Sequence, residues 1–184
     1  MKVSGRSRLP KNGMKFLYVS NHKSNFDPMI SYVILKEYNV PFITKMSNFK
    51  IPLGGRLMTV VGFTGINRED PLQSLEVMNK CAAFIKEDKG SIGVYPEGTR
   101  IKEKGLANFH EGVFSIALKA KCPIVVSTIR NSENIHKNFP FKTSYVNLDI
   151  VRTIYPEDYD GLNAKQISDL AKEIMEANLR RYHE

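Results

Sequence analysis

Apolar residues follow two rhythms along this chain. Short, nearly unbroken runs at 16–20, 42–44, 60–66, 91–95 and 124–129 have the length and make-up of buried strands, and 145–151 alternate as a further strand. Between them, apolar positions return at helical spacing. Pro28 opens one such stretch, with Met29, Ile30, Val33 and Ile34 on a common face. Asp70 has the character of an N-cap and Pro71 suits the first helical position. Leu72, Leu75, Val77, Met78, Ala82 and Ile85 then predict a long amphipathic helix ending near Gly90. Residues 112–120 and 164–182 predict two more helices, whereas 51–55 read as a Gly- and Pro-containing connection and 96–111 as a polar loop. Strands alternating with helices predict an α/β fold, a mostly parallel (mixed) sheet flanked by helices on both faces. No repeat or linker divides the chain, so residues 1–184 read as a single domain. In such sheets, binding groups collect at the carboxyl ends of the strands. The polar clusters at 21–27, at Asn67 and Arg68, and at 96–100 should therefore converge.

Composition narrows the partners. The 184 residues carry 27 Lys and Arg against 19 Asp and Glu, a formal charge of +8 that suits phosphate, nucleic acid or an acidic lipid surface. The basic residues are spread along the chain and no recognition motif accompanies them, which argues against a nucleic-acid partner. Cys81 and Cys122 lie far apart with no His or Cys at ligand spacing, so the expectation is two reduced thiols in a cytosolic protein and no metal. No run approaches the ~18 uninterrupted apolar residues of a membrane span, and the basic residues 1–15 lack the apolar core of a signal peptide.

His22 and Asp27 share one loop entering a helix. If the loop folds back, the carboxylate fixes the imidazole tautomer and leaves the other nitrogen to take a proton from a hydroxyl. The alternative is that Asp27 caps the helix and His22 only bonds the loop. Arg68 follows one strand and Arg100 another, and with the amides of Gly98 and Thr99 they could form an anion site beside His22; otherwise each Arg is a solvated charge. Glu97 is either an orienting group for Arg100 or the loop, or a surface carboxylate. No Gly-x-Ser-x-Gly elbow surrounds Ser20 or Ser24, so neither is a candidate nucleophile.

Taken together, these clusters resemble the sequence blocks of the glycerolipid acyltransferases, in particular the 1-acylglycerol-3-phosphate acyltransferases. Asn21-His22-Lys23-Ser24-Asn25-Phe26-Asp27-Pro28 is similar to the family's Asn-His-x4-Asp block, and Gly62-Phe63-Thr64-Gly65-Ile66-Asn67-Arg68 to its second. Val94-Tyr95-Pro96-Glu97-Gly98-Thr99-Arg100 resembles the third, with Tyr95 in place of Phe, and Cys122-Pro123-Ile124-Val125-Val126 the fourth. The likeness runs from about Leu9 to Ile129 and includes Lys45 and Pro52-Leu53-Gly54. Three features depart from the pattern. His110-Glu111 stands before Gly112 where a basic residue is common, no second Pro occurs near Val126 or Ser127, and the hydrophobic region that often precedes the first block has no counterpart.

The resemblance implies a glycerol-3-phosphate acyltransferase-like fold in one acyltransferase domain without an N-terminal membrane-associated region. It also implies transfer of an acyl group from acyl-CoA or acyl-carrier protein, as co-substrate and with no cofactor, to a free hydroxyl. His22 would be the base, Asp27 its partner, and Arg68, Glu97, Gly98, Thr99 and Arg100 acceptor-binding residues. The acceptor would be 1-acylglycerol 3-phosphate, or else glycerol 3-phosphate or another lysolipid; a catalytically silent lipid-binding relative is the further alternative. Such an enzyme is expected at the cytoplasmic face of a membrane, in peripheral contact with anionic lipid. Residues 134–142, which interleave His136, Lys137 and Lys142 with Phe139 and Phe141, suit that contact.

Overall fold

The computed structural model of the chain describes residues 1–11, 13–101, 105–138 and 140–182. Phe139 and part of the polar loop at 96–111 lie outside them. Strands β1 (Lys2–Ser4), β2 (Leu17–Ser20), β5 (Ile92–Val94), β6 (Ile124–Arg130) and β7 (Asn147–Ile154) form one sheet in the order β1-β7-β6-β2-β5. Pairing is parallel except between β6 and β7, so the sheet is mixed. A smaller parallel pair, β3 (Ile43–Lys45) and β4 (Thr64–Ile66), joins its edge through the bridge Phe42–Gly93. Only glycine permits that junction, because a Cβ at Gly93 would sit 2.4 Å from the Phe42 ring.

The two-residue period of the strands divides the core. Leu17, Val19, Val94, Ile124 and Val126 face one layer, together with Val77, Met78, Cys81, Ala82 and Ile85 of α3 (Pro71–Lys86), Ile116 of α4 (Ser115–Ala120) and Ala171 of α6 (Ala164–Arg180). Phe16, Tyr18, Val125 and Ile129 face the other, against Ile30 and Ile34 of α1 (Asp27–Ile34) and Met58 and Val61 of α2 (Gly54–Val61). Side chains buried this way contribute about 1.5–3 kcal/mol each. The expected α/β layering is therefore present, with helices on both faces.

Some local expectations are corrected. Residues 60–66 are not one strand: Val60 and Val61 close α2, Gly62 ends it at φ 83°, and only Thr64–Ile66 is extended. The β-branched run pointed to a strand, but Met58 and Val61 gain more by packing inward at helical spacing than helix propensity costs them. Leu72 and Leu75 do not belong to the buried stripe of α3; both are exposed. The helix expected at 112–120 begins as a tighter turn at Glu111–Phe114 before α4. Lys2–Ser4, within the basic start, pairs as an edge strand. The expected N-cap at Asp70 is present: its Oδ1 accepts from Gln73 N at 3.0 Å, while the Gln73 side chain accepts from Asn67 N at 2.9 Å. That pair fixes the turn holding Arg68.

Candidate active site

The site begins where β2 ends. Asn21, fully buried, continues the sheet by one rung with its side chain: Nδ2 donates to Ile129 O at 3.0 Å and Oδ1 accepts from Ile129 N at 2.7 Å. The chain then leaves the sheet and folds over Asp27, whose carboxylate is also fully buried. Asp27 Oδ2 accepts from Lys23 N at 2.6 Å, from Ser24 N at 2.7 Å and from His22 Nδ1 at 2.9 Å. Asp27 is the first residue of α1 but does not cap it; its bonds all run back into the loop. An ionised carboxylate only accepts, so Nδ1 carries the proton and the basic lone pair of His22 is on Nε2. The His22 side chain keeps 18% of its surface exposed, enough for a reactant to reach it.

A second carboxylate holds the loop from the opposite side. Glu97, buried, accepts from His22 N at 2.7 Å through Oε2 and from Ala107 N at 3.1 Å through Oε1, and Ile101 N donates to His22 O at 2.9 Å. Both backbone groups of His22 are therefore fixed by the loop after β5. Burial raises the Glu97 carboxyl above its ordinary value, against the opposing pull of the two amides and of Lys23.

The His22 ring stacks on Tyr95 (centroids 4.4 Å apart, 21° between planes), and Tyr95 stacks in turn on Phe42 at 5.2 Å. The Tyr95 hydroxyl pairs with Ser31 Oγ at 3.3 Å, Ser31 with the Tyr18 hydroxyl at 3.2 Å, and Ser127 Oγ donates to Tyr18 at 2.6 Å. Burial first, then Tyr18 and Asp27, holds the Tyr95 hydroxyl well above its ordinary pKa, so it acts as a neutral anchor. Tyr95 is a site residue that sequence reading registered only as a replacement for Phe.

Beside this stack lies a cavity of about 660 Å³. Tyr95, Pro96 and Gly98 line it together with Ile43, Ile66 and Arg68, and Leu75, Met78, Phe109 and His110 also contribute to the wall. Its size and mostly apolar lining, with a few polar groups, suit an organic ligand. Arg68 donates to Gly98 O, which turns the guanidinium toward the loop, and partial desolvation lowers its pKa. Gly98 adopts φ 67°, and a Cβ there would meet Arg68 Nη1 at 2.7 Å and His110 Nε2 at 2.8 Å. Glycine lets the guanidinium, the loop and the imidazole crowd together. His110 was noted in the sequence as a departure; the structure puts it on the cavity wall.

The three polar clusters thus converge through the bonds Glu97–His22 and Arg68–Gly98. Thr99 and Arg100 do not join the wall: both are exposed and neither lines the cavity. Glu97 serves the loop, not Arg100. Cys81 and Cys122 are buried and their thiols are pushed up to about 12, so neither is a thiolate at neutral pH. Among the described residues, no group of three or more His, Cys, Asp or Glu is placed to hold a metal ion.

Known proteins resemble this chain in sequence and in fold. The chain is 32% identical over 176 residues to 1-acyl-sn-glycerol-3-phosphate acyltransferase of Haemophilus influenzae, covering 88% of this chain and 72% of that protein. It is 29% identical over 180 residues to a 1-acyl-sn-glycerol-3-phosphate acyltransferase of Chlamydomonas reinhardtii, covering 96% and 52% respectively. Against the chloroplastic relatives from Brassica napus and Arabidopsis thaliana it spans 38% and 37% of their length. The crystal structure of the 1-acyl-sn-glycerophosphate (LPA) acyltransferase from Thermotoga maritima superimposes with a TM-score of 0.73 at 21% identity, over 99% of this chain and 71% of that one. The acyltransferase family model matches residues 1–130, and the chain belongs to that family.

Proposed function

We propose that this protein acylates the free hydroxyl of 1-acylglycerol 3-phosphate to give phosphatidate, with acyl-CoA or acyl-carrier protein as donor. The observation that carries the reading is the His22–Asp27 contact stacked beside a cavity whose wall holds Arg68. His22 Nε2 takes the hydroxyl proton as the oxygen attacks the thioester carbonyl. Asp27 favours the resulting imidazolium, which returns the proton to the thiolate as the tetrahedral adduct collapses. Arg68 pairs with the acceptor phosphate, and the apolar wall accommodates acyl chain. Arg100 and Thr99, exposed and outside the cavity lining, are assigned as further contacts of the acceptor phosphate.

The enzyme works in peripheral contact with anionic lipid at the cytoplasmic face of a membrane. Among the described residues, no helix is long and apolar enough to cross a bilayer. In the stretch 134–142, Phe141 is 93% exposed beside exposed Lys142, as a lipid contact requires; Phe139 lies outside the described residues.

The test is a panel of donors and acceptors, including glycerol 3-phosphate and other lysolipids, offered to purified protein with product mass as readout. Transfer to 1-acylglycerol 3-phosphate should be fastest. His22→Ala should lower it by about 10²–10⁴-fold, the usual share of a general base, in a protein that still folds cooperatively despite losing the contact to Asp27. Undiminished turnover by a folded His22→Ala protein would remove His22 from the mechanism.

A further inference from the structure

Helix α2 is apolar on two sides, yet only one of them is buried. Met58 and Val61 pack into the core. Leu57 and Val60, three residues apart and so on one face, point outward with Leu53 a turn before them. Leu53 is 86% exposed and Val60 79%, with Ile51 and Leu57 also exposed. An isolated exposed leucine needs no explanation, but a contiguous run on one helix face marks a contact surface.

The backbone takes an unfavourable course to present this run. Leu53 has φ 60° and ψ −49°, and Gly54 N donates to Pro52 O at 2.6 Å, so the leucine occupies the centre of a tight three-residue turn of the strained kind. The turn closes without burying the side chain.

Charge identifies what meets the surface. From Tyr38 to Arg68 the chain has no acidic residue, while Lys45, Lys50, Arg56 and Arg68 all fall within it. Lys50 and Arg56 are exposed: Lys50 directly precedes Ile51, and Arg56 lies within the apolar run, one turn before Val60 on the same face. Apolar side chains interspersed with cations, in a segment without a carboxylate, complement an anionic lipid headgroup layer over apolar acyl chains. Topology places the run at the reactive edge. β3 and β5 are parallel across the Phe42–Gly93 bridge, so the chain leaving β3 at Lys45 enters this segment from the same carboxyl edge that carries Tyr95 and Glu97.

We propose that Ile51, Leu53, Leu57 and Val60, with Lys50 and Arg56, form a surface that docks on an anionic bilayer and sets the cavity mouth at the lipid interface. This deepens the acyltransferase reading, since that reaction draws an amphiphilic acceptor from a membrane, but the surface itself is defined without it.

The experiment compares wild type with the triple substitution Leu53→Ser, Leu57→Ser and Val60→Ser, and with Lys50→Glu plus Arg56→Glu. Binding is measured by sedimentation with vesicles of equal parts phosphatidylglycerol and phosphatidylcholine, and with phosphatidylcholine alone. Wild type should prefer the anionic vesicles. The serine protein should lose about tenfold or more in partition, and the charge-reversed protein about fivefold or more per position together with its salt dependence. Turnover of vesicle-borne acceptor should fall in parallel, while the melting temperature and turnover of a water-soluble short-chain acceptor stay at wild-type values. Unchanged vesicle binding in both variants overturns the proposal, as does a surface whose loss alters sedimentation of the protein with itself but not with lipid. Absence of turnover on every acceptor, with vesicle binding behaving as stated, would defeat the acyltransferase reading and leave the docking surface standing.

Discussion

Replacing Glu97 with alanine separates two roles that the carboxylate could play. In the structure both of its oxygens are committed to backbone donors, His22 N and Ala107 N, so its substitution strands two amides and frees the loop that carries the imidazole. Hydrogen bonds to a charged group contribute about 1.5–3 kcal/mol each, or about 3–6 kcal/mol for the pair. Against this stands the cost of burying the carboxylate, visible in its raised pKa. The net loss should be about 2–3 kcal/mol. For a chain of this size that lowers the melting temperature by about 4–12 °C, readable by circular dichroism. A displacement of the imidazole by ~1 Å should cost about 10²-fold in kcat with less effect on KM. The pH dependence has a definite sign. Because the folded state holds the Glu97 proton more tightly than the unfolded state, the slope of stability against pH is negative for this group. The stability gap between wild type and Glu97→Ala should therefore widen as pH falls through the raised folded value, and level off below the ordinary 4.5. A variant with wild-type melting and kcat but a greatly raised KM would refute this account and make Glu97 a ligand of the acceptor.

Asp27→Asn should preserve the fold of the loop, because one amide oxygen can still accept from Lys23 N and Ser24 N while the nitrogen takes the position of Oδ1, which has no hydrogen-bond partner among the described residues. With the stabilisation of the imidazolium lost, kcat should drop by about 10²–10⁴-fold; a drop below threefold would show that the carboxylate is only a loop staple. Tyr95→Phe keeps the stack on His22 and removes the bond to Ser31, so stability should fall by about 0.5–1.5 kcal/mol in urea unfolding. Its kcat should change by only a few-fold, and a loss near that of His22→Ala would give the hydroxyl a chemical role.

The parts of the fold legible in the sequence are those where one signal acts alone. The cap at Asp70 and Pro71 places α3, and the buried runs around Tyr18, Gly93 and Val125 place the central strands. α2 was hidden because Thr59, Val60 and Val61 favour a strand in isolation, and only tertiary packing of Met58 and Val61 decides otherwise. At the site, His22 and Asp27 were readable because their contact is local. That Glu97 reaches back across 75 residues to the His22 amide, or that His110 shares a wall with Arg68, depends on how the loops cross above the sheet. Spacing carries no record of such crossings, and the same limit explains why Arg100, equivalent to Arg68 on paper, stands apart from the cavity.

The rung that Asn21 adds to the sheet has a dynamic consequence. Its amide occupies both main-chain groups of Ile129, so the segment bearing the imidazole cannot swing away without releasing a residue in the interior of the central β-structure. Excursions of that loop are thereby tied to a costly opening, and the Ile129 amide proton should exchange with solvent only as slowly as the sheet itself. Under the proposed function, accommodation of different acyl chains then falls to the helical side of the pocket, around Leu75 and Met78, while the imidazole stays still.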